Sequence, residues 1–129
     1  MKKWSKVLII AACLVAVLVV AGFIAFSVIQ NNLEALAGIE VEDIDTSALP
    51  DGVYAGSFSE FPVSAEVKVK LKGGAIEDIT LVKHVSGKGQ AAEAIPGMVI
   101  DAQSLDVDVV SGATYSSKVI LLAIKDALE

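Results

Sequence analysis

The sequence contains no arginine, and its positive charge comes from ten lysines set against sixteen acidic residues, which gives a net charge of −6. Proteins that bind nucleic acids need clustered lysine and arginine to displace the counterions of the phosphates. The lysines after residue 60 are instead scattered among acids. We therefore expect no nucleic-acid partner.

Cysteine and histidine are each present once, as Cys13 and His84. A single cysteine excludes an intramolecular disulfide and a cysteine-rich metal site, and a single histidine excludes a histidine metal cluster. Pairing His84 with Ser116 or Ser117 in a catalytic triad would rest on composition alone. We therefore predict neither a metal site nor a hydrolase.

Charged residues are also absent from a run of 23 residues, Val7–Ile29, which follows three lysines. At about 1.5 Å per residue a helix of this length reaches about 34 Å, enough to cross the hydrocarbon core of a bilayer. It is longer than the apolar region of about 7–15 residues in a cleaved signal peptide. We predict a transmembrane helix over 7–29, with residues 1–6 in the cytoplasm and the rest of the chain extracytoplasmic, because lysines favour the inner side.

Two other fates of this segment stay open. It could be cleaved as a signal peptide, or Cys13 could be acylated, because Ile10-Ala11-Ala12-Cys13 looks like the lipobox of bacterial lipoproteins. The residues after Cys13 stay apolar where a lipoprotein would turn polar, which favours a cysteine packed in the membrane. With or without the lipid, we expect the domain to be tethered to a membrane.

An acidic segment follows the apolar run. Between residues 34 and 51 there are six acidic side chains and no basic one, with few apolar residues for a core. Such a composition is typical of a solvated spacer. We predict an acidic linker over residues 30–50 that holds the domain off an anionic membrane surface.

The remaining residues, 51–129, predict an α+β domain with a small antiparallel sheet. Apolar and charged residues alternate from Ala65 to Lys72, the period expected of a strand with one buried face. Gly73-Gly74 then predicts a tight hairpin turn. Strands over 53–61 and 75–83 complete a three-stranded meander.

Two or three helices should cover this sheet. Pro96 fits the first turn of a helix over 96–103, and apolar residues at helical spacing predict an amphipathic helix over 116–128. Between them, residues 106–110 predict a short strand on which Asp106 and Asp108 are solvated.

A glycine-rich loop, Gly87-Lys88-Gly89-Gln90-Ala91-Ala92, formally matches the dinucleotide-binding pattern G-x-G-x-x-A. Only about forty residues follow it, which are too few for the further βαβ units of that fold. We reject a nicotinamide site and expect either a loop that lets the backbone approach another ligand or an ordinary mobile loop.

The segment Ser111-Gly112-Ala113-Thr114 has residue types that suit a phosphate. Ser111 could cap the following helix, Gly112 permits a close backbone approach, and Ala113 leaves space. Thr114 then presents a hydroxyl near a helix N-terminus, where free N–H groups and the helix dipole stabilise a phosphate. Taken alone, these four residues favour a simple turn and helix cap over a phosphate site.

The longer stretch Asp108-Val109-Val110-Ser111-Gly112-Ala113-Thr114 resembles the flavinylation motif D-x-x-[ST]-G-A-[ST] of the FMN-binding domain family. The same module occurs in Rnf-type electron-transport complexes and in the sodium-translocating NADH:quinone oxidoreductase. The resemblance spans roughly residues 51–128 and includes Asp-Gly-Val-Tyr-Ala-Gly at its start. It implies FMN joined through its phosphate to Thr114 by a flavin transferase that uses FAD.

The resemblance also implies a set of flavin-binding residues around Thr114. Many members carry a His…Thr-Pro-Gly-x-Gly loop near the flavin, and this chain has the histidine and the glycines without the Thr-Pro pair. Besides Thr114, the residues predicted to bind the cofactor are Asp108, Ser111, Gly112, Ala113, Ser116, His84 and Gly89.

The resemblance and the topology together predict a membrane-anchored electron carrier. FMN would be dilute outside the cell, and a phosphoester makes occupancy independent of its free concentration. The carrier would pass electrons from a membrane donor, such as a quinone-linked one, to an external redox partner. A binding or sensor module with reversible FMN or none is the alternative, and a stand-alone reductase fits poorly because no substrate-binding domain is fused.

Overall fold

The computed structural model describes residues 2–85 and 90–129, which fall into two compact units, 1–31 and 32–129. The first helix, α1 (Lys2–Ala37), is long and apolar enough to cross a membrane. A signal sequence would meet the same test of length and composition. The helix outruns the predicted span of 7–29 because the residues that follow, such as Leu33 and Leu36, are good helix formers, and it ends just before Gly38.

Three strands form an antiparallel sheet in the order β1 (Gly52–Glu60), β2 (Val63–Lys72) and β3 (Ala75–Val85). This confirms the predicted meander, with strand ends that differ by one or two residues. The odd-numbered residues of β2 are buried, whereas its lysines point to solvent. Gly73 and Gly74 have φ values of 61° and 77° and join β2 to β3, as a two-residue hairpin of positive φ requires.

Helices cover one face of the sheet. A short 3₁₀ helix (Gln90–Ala94) leads into α2 (Ile95–Ala102), which contacts β3. The last helix, α3 (Thr114–Leu128), packs across β1 and β2 and supplies five of the eleven largest fully buried side chains among the described residues. The fold is therefore the predicted α+β arrangement, with α2 starting one residue and α3 two residues before the predicted positions.

The side chain of Gln103 fastens the end of α2 to the sheet. This residue has a left-handed backbone with φ of 52°. Its Oε1 accepts the amide N–H of Ile76 at 2.8 Å, and its Nε2 donates to the carbonyls of Ile76 and Ile100 at 2.8 and 2.7 Å. Two of these hydrogen bonds link the end of α2 to β3 and the third closes the end of α2, and the chain continues from this junction into the 104–113 segment.

The strand predicted for residues 106–110 does not form. Val107 donates its amide N–H to the carbonyl of Leu105 at 2.9 Å, a tight turn, and the amide of Val110 is bonded to a side chain instead of a neighbouring strand. Asp106 and Asp108 are exposed, as expected of solvated side chains, and Val107 and Val110 pack toward the core. Because the two valines are three residues apart, the packed positions do not follow the period of two that a strand requires.

The acidic segment is not the solvated linker that its composition predicts. Residues 39–49, called the strap below, lie on the domain and pack four half-buried apolar side chains against its core: Ile39, Val41, Ile44 and Leu49. Toward the C-terminal end of the strap, the hydroxyl of Thr46 donates to the carbonyl of Gly74 at 2.6 Å. The acids are exposed between these anchors, so the segment is acidic on its outer side and apolar on its inner side.

Candidate functional site

The predicted attachment motif forms a tight turn that feeds α3. The amide of Ala113 donates to the carbonyl of Val110 at 2.9 Å, and Gly112 at the third position has φ of 81°. A type II turn requires such a positive φ at this position, which explains the glycine. A Cβ placed on Gly112 would have no atom within 4 Å, so the outer face of the turn is open space.

Ser117 holds this turn from inside the domain. Its side chain is fully buried, and its hydroxyl accepts the amide N–H of Val110 at 3.1 Å while donating to the carbonyl of Ala113 at 2.7 Å. Both ends of the turn are therefore fixed by one hydroxyl. Ser117 was not among the predicted site residues, although its place three and seven residues before Ile120 and Ile124 puts it on the buried stripe of α3.

Thr114 is the first residue of α3 and is half-buried. The first backbone bond of the helix is donated by Ser117 to Ala113 at 2.9 Å. Among the residues that the structure describes, no protein group accepts the amide N–H groups of Thr114, Tyr115 and Ser116. A phosphate on Thr114 would therefore meet unpaired donors and the positive end of a 15-residue helix.

The prediction that Ser111 caps α3 is wrong. The N-cap position is Ala113, and no side-chain hydrogen bond caps the helix. Ser111 lies two residues earlier, within the exposed turn, because the 110–113 turn places the helix start further along the chain. The absence of a side-chain cap is what leaves the first N–H groups available to an anion.

The other predicted motif residues are divided between the surface and the interior. Asp108, before the turn, and Ser111, within it, are both exposed, so a modifying enzyme could contact them. Ala113 and Ser116 are only 5% and 3% exposed. A larger side chain at Ala113 would clash with the core, so packing restricts this position to a small residue. Ser116 is buried in the first turn of α3.

The predicted loop residues are only partly described. Gly89 lies outside the described residues, so its placement stays a prediction. The side chain of His84 on β3 is 3% exposed, with Nδ1 at 3.5 Å from Oε1 of Glu93 in the 3₁₀ helix. Its Nε2 is buried and has no hydrogen-bond partner among the described residues. No hydrogen bond within the described part of the chain joins His84 to Thr114, although the 3₁₀ helix that contacts His84 also packs on α3.

The strap is hydrogen-bonded to the chain just before the motif, through Asp43. One carboxylate oxygen accepts the amide N–H of Leu105 at 2.9 Å, and the other accepts the hydroxyl of Ser104 at 2.7 Å. Chiefly the Leu105 amide, and then the Ser104 hydroxyl, hold the pKa of the Asp43 carboxyl below its usual range. The sequence carries no signal for this contact, because the partners are about sixty residues apart.

A second strap contact lies just after the motif. The ammonium group of Lys118 on α3 donates to the carbonyl of Ile39 at 2.7 Å. Asp43 and Lys118 thus attach the strap on both sides of the attachment turn. Between them is an open cleft of about 360 Å³ lined by Glu40, Glu42, Asp106 and Lys118 among others. Thr114, the predicted attachment residue, does not line this cleft.

Comparison with known protein families identifies a matching domain in this chain. A family model described as an FMN-binding domain matches residues 60–129, more than half of the chain. The matched region begins at the end of β1 and includes β2, β3, both domain helices and the whole attachment motif. Together with the apolar helix α1, it fits a flavin-binding module on a membrane anchor.

A curated relative of similar sequence is an uncharacterized protein of Treponema pallidum (strain Nichols), 36% identical over 84 residues. The aligned region covers 63% of this chain and 23% of that protein. The chain therefore spans about a quarter of the length of this relative, which carries further sequence of its own.

Proposed function

The chain belongs to the FMN-binding domain family, and from that premise we propose that it is a membrane-anchored extracytoplasmic carrier with FMN bound covalently to Thr114. It would transfer electrons between a donor in the membrane and an external acceptor. Bound flavin supplies one- or two-electron transfer, while the protein supplies its position and electrostatic surroundings.

The observation that carries the proposal is the surroundings of Thr114. Its hydroxyl is attached to the first residue of α3, it is partly exposed, and the N–H groups of the first turn have no protein acceptor among the described residues. Those donors and the helix dipole would stabilise a phosphodiester at this residue. The open face of Gly112 leaves room for the phosphate to approach the backbone.

Attachment requires a chemical step that this chain does not catalyse alone. A flavin transferase would direct the Thr114 oxygen to the FMN phosphorus of FAD, forming a P–O bond as the pyrophosphate bond breaks. AMP leaves and the hydroxyl proton is released to a base. That enzyme would recognise the exposed residues Asp108 and Ser111, which lie just before the turn and within it.

The topology supports a covalent link. The lysines before the apolar run and the acids after it favour an extracytoplasmic domain. Free FMN would be dilute there, and the occupancy of a reversible site falls with ligand concentration. A phosphodiester removes that dependence, and the turn that bears it is fixed by the buried Ser117.

The test is co-expression of the full chain with a flavin transferase, followed by denaturing gel electrophoresis and intact mass measurement. We expect in-gel flavin fluorescence and a mass increase of one FMN less one water. Both should be lost in Thr114→Val and retained in Thr80→Val, a matched change at an exposed threonine of β3. A fluorescent Thr114→Val band would refute the attachment site. A bare polypeptide mass despite active transferase would favour the reversible binding or sensor module.

A further inference from the structure

An exposed aromatic side chain, that of Tyr115, stands next to the attachment residue. Tyr115 is the second residue of α3 and is 37% exposed, although Ser116 and Ser117, which follow it, are buried. The aromatic residues of β1 differ, because Tyr54 and Phe58 pack against the core. One exposed apolar side chain needs no explanation by itself, so the meaning of Tyr115 depends on what lies beside it.

The hydroxyl group of Tyr115 is also unused in the part of the chain that the structure describes. The other tyrosine, Tyr54, donates its hydroxyl to the carbonyl of Pro50 at 2.6 Å. No described residue forms a hydrogen bond with the hydroxyl of Tyr115. Tyrosine side chains usually find such a partner where they serve the fold. Tyr115 therefore offers both apolar surface and a polar group to something other than the domain itself.

The surface around Thr114 offers few other places for a flat aromatic group. The exposed residues of the neighbouring turn are Asp108, Ser111 and Gly112, which are two polar residues and one without a side chain. No phenylalanine, tyrosine or tryptophan other than Tyr115 occurs after Phe61 in the sequence. An apolar ring attached near Thr114 would therefore find its aromatic neighbour in Tyr115.

The backbone places Tyr115 at the edge of the open space beside the turn. Its Cα lies about 3.8 Å from that of Thr114, because the two residues are consecutive. Long side chains on a helix lean toward its N-terminus and cover the preceding turn. Here that turn is 110–113, and a Cβ on Gly112 would meet no atom within 4 Å. A group linked to Thr114 through a phosphate would extend into the same space.

We propose that Tyr115 is a cofactor-contact residue, on whose ring the isoalloxazine ring of FMN packs. This rests on the proposed covalent attachment of FMN to Thr114. Contact between two aromatic rings is favoured over their separation by about tenfold once the buried apolar area is included. The contact shields part of the flavin from water and holds it beside the turn that Ser117 fixes.

The experiment uses the full chain, flavinylated by a co-expressed transferase and purified in detergent, with the intact mass as the measure of attachment. A tyrosine in contact with flavin quenches its emission, because the phenol gives an electron to the photoexcited flavin and regains it on return. For a tenfold preference for contact, about nine-tenths of the wild-type emission should decay fast. Tyr115→Phe keeps an aromatic ring that is much harder to oxidise, so it should lose the fast decay. Tyr54→Phe, the same change at the other tyrosine, should keep it.

The visible circular dichroism of the flavin measures the contact independently of quenching. Phenylalanine at position 115 still packs on the flavin, so Tyr115→Phe should retain the wild-type signal. Tyr115→Leu removes the aromatic ring and should lose most of that signal. A merely structural role of Tyr115 would leave both the emission decay and the dichroism unchanged.

An unchanged decay in fully flavinylated Tyr115→Phe would overturn the contact and leave the attachment at Thr114 intact. Loss of the fast decay in Tyr54→Phe would also overturn it, since the flavin would then lie against Tyr54. A bare polypeptide mass for the wild type would overturn the attachment and the contact together. Should Tyr115→Leu escape flavinylation, Tyr115→Phe, which presents nearly the same shape to the transferase, decides the question.

Discussion

Replacing Gly56 with alanine should destabilise the domain, because β1 crosses α3 at this residue without room for a methyl group. A Cβ built on Gly56 would lie closer than 3.0 Å to three backbone atoms: the carbonyl oxygen of Ala123 and the amide nitrogen and Cα of Ala127. Backbone atoms in the C-terminal half of a packed helix cannot rotate away as a side chain would. The strand and the helix would have to move apart, and this displacement would involve α3, whose first residue is Thr114.

The magnitude follows from two opposing terms. Overpacking a well-packed site costs typically about 1–3 kcal/mol, and contact with three backbone atoms places Gly56→Ala at the upper end. Alanine also restricts the unfolded chain, which returns about 0.4–1 kcal/mol because φ at this position is not left-handed. The net loss is about 2 kcal/mol, and for a domain of roughly 100 residues this lowers Tm by about 8–16 °C.

Gly97→Ala in α2 is the matched control. A Cβ there meets no atom within 4 Å, and alanine in a helix is favoured over glycine by about 0.5–1 kcal/mol. The two substitutions add the same methyl group and should move Tm in opposite directions. Thermal unfolding of the full chain in detergent, followed by protease resistance of the domain, measures both. A Gly56→Ala domain that unfolds within about 1 °C of the wild type would refute the close approach of β1 and α3.

Two further substitutions test the contacts that hold the attachment turn. Ser117→Ala leaves the amide of Val110 without its acceptor, so chemical denaturation should show a loss of about 1–3 kcal/mol, and an unchanged midpoint would contradict the role of this hydroxyl. Asp43→Asn tests the strap: because hydrogen bonds lower the pKa of Asp43 in the folded state, its stabilising effect is present above the unfolded pKa of 3.8 and is lost as pH falls through the folded value. The Tm gap between wild type and Asp43→Asn should be widest near neutral pH and close below about pH 4; a gap independent of pH would contradict this.

The sheet and the last helix could be predicted from the sequence because their signals are local. The alternation in β2 has a period of two, and Gly73-Gly74 supplies the backbone that a two-residue hairpin needs. The stripe on α3 has the period of a helix. The predicted start of α3 is two residues too late because Thr114 and Tyr115 look like turn residues, whereas they begin the first turn of the helix.

The strap could not be predicted because its charge composition indicates a solvated segment, whereas its contacts attach it to the domain. Residues 39–49 carry four acids and no basic residue, a charge imbalance that is typical of a solvated segment. Its attachment depends on four widely spaced apolar side chains and on Asp43, whose partners are 61 and 62 residues away in sequence. Composition averages over a segment, whereas packing depends on which few side chains face the core.

The strap changes how a flavin on Thr114 would reach its redox partners. A flexible linker over residues 30–50 would let the domain range over about 25 Å, since the root-mean-square span of such a chain is about 5–6 Å times the square root of its length. In the structure that segment is helix up to Ala37 and then a strap bonded to both sides of the attachment turn. Residues 39–49 are therefore part of the folded domain and do not act as a flexible linker. If Thr114 carries the proposed flavin, a redox partner would approach it beside the exposed residues Asp108 and Ser111.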